Sequence, residues 1–68
     1  MIIYVNDDSQ EVYDGICVDQ LLDVLSIDKQ QKGIALAVNN QVINKNKWNS
    51  TPLKENDRVL IIRASQGG

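Results

Sequence analysis

The chain has 68 residues, 43% of them hydrophobic and 24% charged, with a formal net charge of −2. That fits one small globular domain, not a disordered or fibrous chain, and no apolar run is long enough to span a bilayer. There is no His and one Cys, which excludes internal disulfides, Cys-rich zinc sites and His-based catalytic units, and argues against a self-sufficient enzyme.

Met1-Ile2-Ile3-Tyr4-Val5 is apolar and β-branched and predicts a strand. It runs straight into Asn6-Asp7-Asp8, without the basic start and long apolar stretch of a secretory signal, so a cytoplasmic protein is expected. Asn6-Asp7-Asp8-Ser9 reads as a turn cluster. Residues 10–14 then alternate and predict a returning strand. Gly15 breaks this pattern. From Val18 the period becomes helical, with Val18, Leu21, Leu22 and Leu25 on one stripe. Cys17 stands at the N-cap position, and Gln20 can supply half of a capping box. A thiol nucleophile is the sharper reading of Cys17, and a small residue at a helix start is the favoured one.

Residues 29–33 form a polar loop ending in Gly33. Ile34, Leu36 and Val38 alternate with Ala35 and Ala37 as in a strand. Asn39-Asn40 marks a tight turn, and Gln41-Val42-Ile43 a short returning strand. Residues 44–53 read as an irregular polar loop anchored by Trp48. Glu55-Asn56-Asp57 predicts a turn and residues 58–64 the last strand, with Val59 and Ile61 on one face and Leu60 and Ile62 on the other. The first and last strands are apolar on both faces. They are therefore expected side by side in the middle of the sheet, running parallel. The expected fold is α+β: a β-grasp of five mixed strands with one main helix on one face. Residues 1–64 form the domain and 65–68 a flexible tail.

Charge is unevenly placed. Residues 1–28 carry −7 and residues 29–68 carry +5. This reads either as a dipolar surface that orients the protein on a partner or as ordinary solvated faces. Nucleic acid is a poor fit, given the negative total and the three aromatic residues Tyr4, Tyr13 and Trp48.

The sequence closes on Gly67-Gly68, directly after the last predicted strand. A frayed end is one reading of such a pair. The chemical reading is that two residues without Cβ can thread a narrow channel and leave a terminal carboxyl unhindered. A carboxylate leaves poorly and must be activated, and adenylation needs the Mg²⁺ and phosphate binders of a partner enzyme.

Val18-Asp19-Gln20-Leu21-Leu22, Ala35-Leu36-Ala37-Val38-Asn39-Asn40-Gln41-Val42-Ile43, Trp48, Glu55-Asn56-Asp57-Arg58-Val59 and Gly67-Gly68 come in an order and spacing that resembles the ThiS family of thiamine-biosynthesis sulfur carriers. The resemblance covers essentially the whole chain and implies a ubiquitin-like β-grasp. It also implies that Gly68 is adenylated by a ubiquitin-activating-like adenylyltransferase using Mg-ATP, with no cofactor bound by the chain itself. Sulfur from a cysteine desulfurase route would then give a thiocarboxylate that serves thiazole synthase. By the same resemblance Gly67, Gln66 and Ser65 are read as the recognised tail. Gln66 stands where members often carry a small residue, and Cys17 where the helix cap is often Thr. From their place beside the tail, Arg58, Leu60, Ile62 and Arg63 are expected to dock partners. No catalytic residue, metal site, nucleic acid or membrane is expected. The alternatives are the small sulfur-carrying subunit of molybdopterin synthase, and a β-grasp module that only binds.

Overall fold

The structure, a computed structural model, describes residues 1–64, so the expectations placed on Ser65, Gln66, Gly67 and Gly68, and on a tail over 65–68, lie outside the described residues. Two polar pairs set the hairpins. Asn6 and Asp7 take φ values of 49° and 72°, and Asn39 and Asn40 take 50° and 70°. Such left-handed pairs match the right-handed twist of the strands they join, and Asn and Asp accept that backbone better than other side chains. The first pair joins β1, Ile2–Val5, to β2, Asp8–Glu11. The second joins β3, Ile34–Val38, to β4, Gln41–Val42.

The first hairpin corrects the sequence reading. The turn needs only two residues, because Val5 already pairs with Asp8. The returning strand therefore begins at Asp8 and ends at Glu11, ahead of Gly15 with its φ of 81°.

β5, Arg58–Arg63, lies at the centre of the five-stranded sheet, in the order β2-β1-β5-β3-β4. It runs parallel to β1 and antiparallel to β3. The Tyr4 N–H donates to Asp57 O and the Asn6 N–H to Val59 O, both at 2.9 Å. Beyond Val5 the main chain of β1 turns away, and the Asn6 side chain takes over as partner. Its Oδ1 accepts from the Ile61 N–H at 2.8 Å, and its Nδ2 donates to Ile61 O at 3.2 Å. Asn6→Ala removes both bonds and the residue's tolerance of positive φ. It should cost about 1–3 kcal/mol in a denaturant titration; a cost near zero would show that the clamp is replaced by water.

α1, Val18–Val24, buries Val18, Leu21 and Leu22 against the sheet. The Cys17 N–H donates to Gln20 Oε1 at 3.0 Å, the half-box expected from the sequence. The helix stops because Ser26 enters the left-handed region at φ 60°. The Ser26 N–H then reaches Asp23 O at 3.0 Å and the Ile27 N–H reaches Leu22 O at 2.9 Å. This is a Schellman closure with Ser in the place usually held by Gly.

Residues 44–53, expected to be irregular, contain a 3₁₀ helix, Lys45–Ser50. A segment of this length with one large apolar residue carries no helical period in sequence. Trp48 is its buried anchor, 3% exposed, with Nε1–H donating to Ile43 O at 2.9 Å. The next residues are tied to the start of α1. The Val18 N–H donates to Thr51 O at 3.1 Å and the Leu53 N–H to Ile16 O at 2.8 Å. These bonds draw Ile16 and Leu53 into one core with Ile3, Leu21, Leu22, Leu36, Trp48, Val59 and Ile61. No helix among the described residues is long and apolar enough to cross a membrane.

Candidate functional site

α1 and the 3₁₀ segment share the underside of the sheet, and the opposite face stays open. On β5, Val59 is 2% and Ile61 8% exposed, while Leu60 is 49% and Ile62 53% exposed. Both faces of this strand are apolar in sequence, yet one faces solvent. The register shows what surrounds it. Ala35 pairs with Ile62, Ala37 with Leu60, and Val42 with Ala37 on its other side. Tyr4 pairs with Arg58, whose guanidinium carbon sits 5.9 Å from the Tyr4 ring centroid. Two small alanines between larger side chains leave a shallow trough of about 430 Å³. Leu60, Ile62 and Val42 line it, and Tyr4 and Arg58 border it.

The four residues expected to dock partners divide between two positions. Arg58, Leu60 and Ile62 alternate onto the open face and line the trough. Arg63 is exposed but has the strand parity of Val59 and Ile61; it pairs with Ile34 at the end of β5. The Ala64 N–H donates to Gly33 O at 2.8 Å. This bond fixes the point at which residue 65 is attached, at the end of β5 away from the start of β1.

The open face has further members that the sequence reading did not single out: Tyr4, Ala35, Ala37 and the edge residue Val42, 70% exposed. Their signal was available. Ala35 and Ala37 occupy the parity opposite Ile34, Leu36 and Val38, so an apolar second face could be read from β3 as well as from β5.

Cys17 is half-buried at the start of α1 and has no disulfide partner. Its backbone forms an isolated antiparallel bridge with Pro52, which assigns it a structural position. Among the described residues no group of three or more His, Cys, Asp or Glu side chains is placed to hold a metal ion. What the described residues offer is therefore a surface on the open face of β5, apolar at its centre and with Arg58 and Asp7 in its lining.

Comparison with known proteins agrees along the full chain. The family model described as the ThiS family matches residues 3–68. The sulfur carrier protein ThiS of Escherichia coli (strain K12) is 32% identical over 68 residues, covering 100% of both chains. A crystal structure of a thiamine biosynthesis protein (ThiS) from Geobacter metallireducens superposes with a TM-score of 0.83 at 24% identity, covering 100% of both chains. A solution structure of a thiamine biosynthesis protein from the same organism gives 0.81 at 24% identity, covering 100% of this chain and 88% of the other. The fold is thus the β-grasp expected from the sequence.

Proposed function

Because the chain belongs to the ThiS family, we propose that it carries sulfur on the carboxyl group of Gly68. At the level of the family it is a sulfur carrier of thiamine biosynthesis, acted on by enzymes and not itself a catalyst. The finer chemistry follows from what a carboxylate can do. An oxygen of Gly68 attacks the α-phosphorus of Mg-ATP held by a ubiquitin-activating-like adenylyltransferase, and pyrophosphate leaves. A persulfide from a cysteine desulfurase route displaces AMP at the acyl carbon to give an acyl disulfide. A thiol of the sulfur-delivering partner then cleaves the S–S bond, leaving a thiocarboxylate on Gly68 and a disulfide on the partner. Thiazole synthase then takes the sulfur. Glycine suits both displacements, because no Cβ stands beside the reacting carbon. Mg-ATP belongs to the partner in this scheme, and the carrier holds no cofactor of its own. Gly67, Gln66 and Ser65 are the segment the partners grip. The observation that carries the reading is the end-to-end match to a sulfur carrier, with Gly67 and Gly68 inside the matched region.

The small subunit of molybdopterin synthase would share this chemistry. Reconstitution separates the two. The charged carrier should support thiazole formation with thiazole synthase and give no pterin product with the large molybdopterin synthase subunit; the reverse result would reassign it.

The open sheet face supplies the docking surface in this proposal, through Arg58, Leu60 and Ile62, with Arg63 the nearest cation in sequence to residues 65–68. A Leu60→Thr, Ile62→Thr double variant places a strand-favouring β-branched residue at both positions and removes apolar area from the face. Its affinity for the adenylyltransferase should fall about tenfold or more while its unfolding midpoint stays nearly unchanged. Unchanged affinity in a titration would remove this face from the interaction.

A further inference from the structure

A second apolar surface lies apart from the sheet face. Between the end of β2 and the last turn of α1, Glu11, Val12, Tyr13, Ile16 and Val24 line a groove that shares no residue with the trough beside β5. Tyr13 is 56% and Val24 57% exposed, and neither belongs to the core. Both side chains line the same depression.

The groove is built from the acidic stretch of the chain. β1, β2 and α1 come from residues 1–28, which hold seven acidic side chains and no Lys or Arg. In the order β2-β1-β5-β3-β4, β2 and β1 form one flank of the sheet. Glu11 lines the groove, Asp14 follows Tyr13, and Asp23 precedes Val24. The cations facing these acids are the Met1 ammonium, 3.4 Å from Asp14, and Lys29, 3.1 Å from Asp23. Glu11 has no ion-pair partner among the described residues. With Asp14 and Asp23 ion-paired, the Glu11 carboxylate is the uncompensated charge lining the groove, and an apolar depression edged by such a carboxylate favours an apolar side chain flanked by cations over an acidic partner.

We infer that the Tyr13–Val24 groove is a second docking surface, for a protein segment that presents leucine-like side chains between lysines or arginines. Its position suits a separate partner. The Val12 N–H donates to Met1 O, at the start of β1, whereas the parallel strand β5 ends far along the sheet at Arg63. A segment in the groove leaves Leu60, Ile62 and the attachment point of residues 65–68 uncovered.

The test uses the full chain and two synthetic amphipathic peptides, one of Leu and Lys and one of Leu and Glu with the same Leu positions, followed by amide chemical shifts. The Leu/Lys peptide should shift Glu11, Tyr13 and Val24 and leave Leu60 and Ile62 in place. Its binding should weaken severalfold as salt is raised. A Tyr13→Ser, Val24→Ser variant, altered only at exposed positions, should bind it about tenfold more weakly. The Leu/Glu peptide should leave the amides of Glu11, Tyr13 and Val24 unmoved. Shifts confined to Leu60 and Ile62, no shifts at all, or equal shifts with both peptides would overturn the inference.

Discussion

A variant lacking Gly68 should fold as the parent does and fail to carry sulfur. The core closes within residues 1–64, where β5 completes its register at Arg63 and Ala64 bonds to Gly33. Removing the last residue leaves every one of those interactions intact. The new carboxyl group, on Gly67, would sit one residue short, a deficit of about 3.5 Å along an extended chain. A misplacement of about 1 Å at a reacting centre can already cost about a hundredfold in rate. Thiocarboxylate formation should therefore drop below detection, while circular dichroism and the unfolding midpoint stay those of the parent. Sulfur transfer retained at a parental rate would place the reactive group elsewhere.

Trp48→Ala should bring the fold close to collapse. For a chain of 68 residues, total stability of roughly 3–10 kcal/mol is expected. A buried Trp truncated to Ala costs about 3–5 kcal/mol, the lost apolar burial plus the cavity left behind. Trp48 is 3% exposed and holds the 3₁₀ segment against α1, with its indole N–H on Ile43 O. No disulfide can compensate in a chain with one Cys. A large part of the population should be unfolded near room temperature, seen as loss of amide dispersion and of cooperative melting. Trp48→Phe keeps most of the ring area and loses one hydrogen bond, so it should cost about 1–2 kcal/mol beyond the ring-size change. A cost below about 1 kcal/mol for the Ala variant would mean that the segment is not anchored by this residue.

Much of the architecture is legible in the residues because local chemistry and the global pattern agree. Asn39-Asn40 announces its turn, the stripe from Val18 announces the helix, and the apolar pairs in β1 and β5 place those strands side by side. The misses share a cause. A signal spread over two or three residues has no period to read. The first hairpin closes on Asn6 and Asp7 alone, so Asp8 and Ser9, polar by composition, join a strand edge. The 3₁₀ helix carries one apolar side chain. The end of α1 rests on Ser26 in a conformation for which sequence would favour Gly. The site is legible differently. Gly67-Gly68 stands out by chemistry without any fold, since no other residue pair leaves a carboxyl group so open. The open face needed the structure. Leu60 and Ile62 would look the same in a sheet covered on both sides, and only the single main helix argues that one side stays bare. Arg63 shows the limit of proximity in sequence: it neighbours Ile62 but sits on the opposite parity of the strand.

Mass spectrometry of the intact protein tests the central claim most directly. After incubation with the adenylyltransferase, Mg-ATP and a sulfur source, the chain should become heavier by the difference between a sulfur and an oxygen atom, with the change localised to Gly68. An unchanged mass, with an adenylyltransferase shown to be active on another carrier, would contradict the sulfur-carrier account and leave a β-grasp module that only binds.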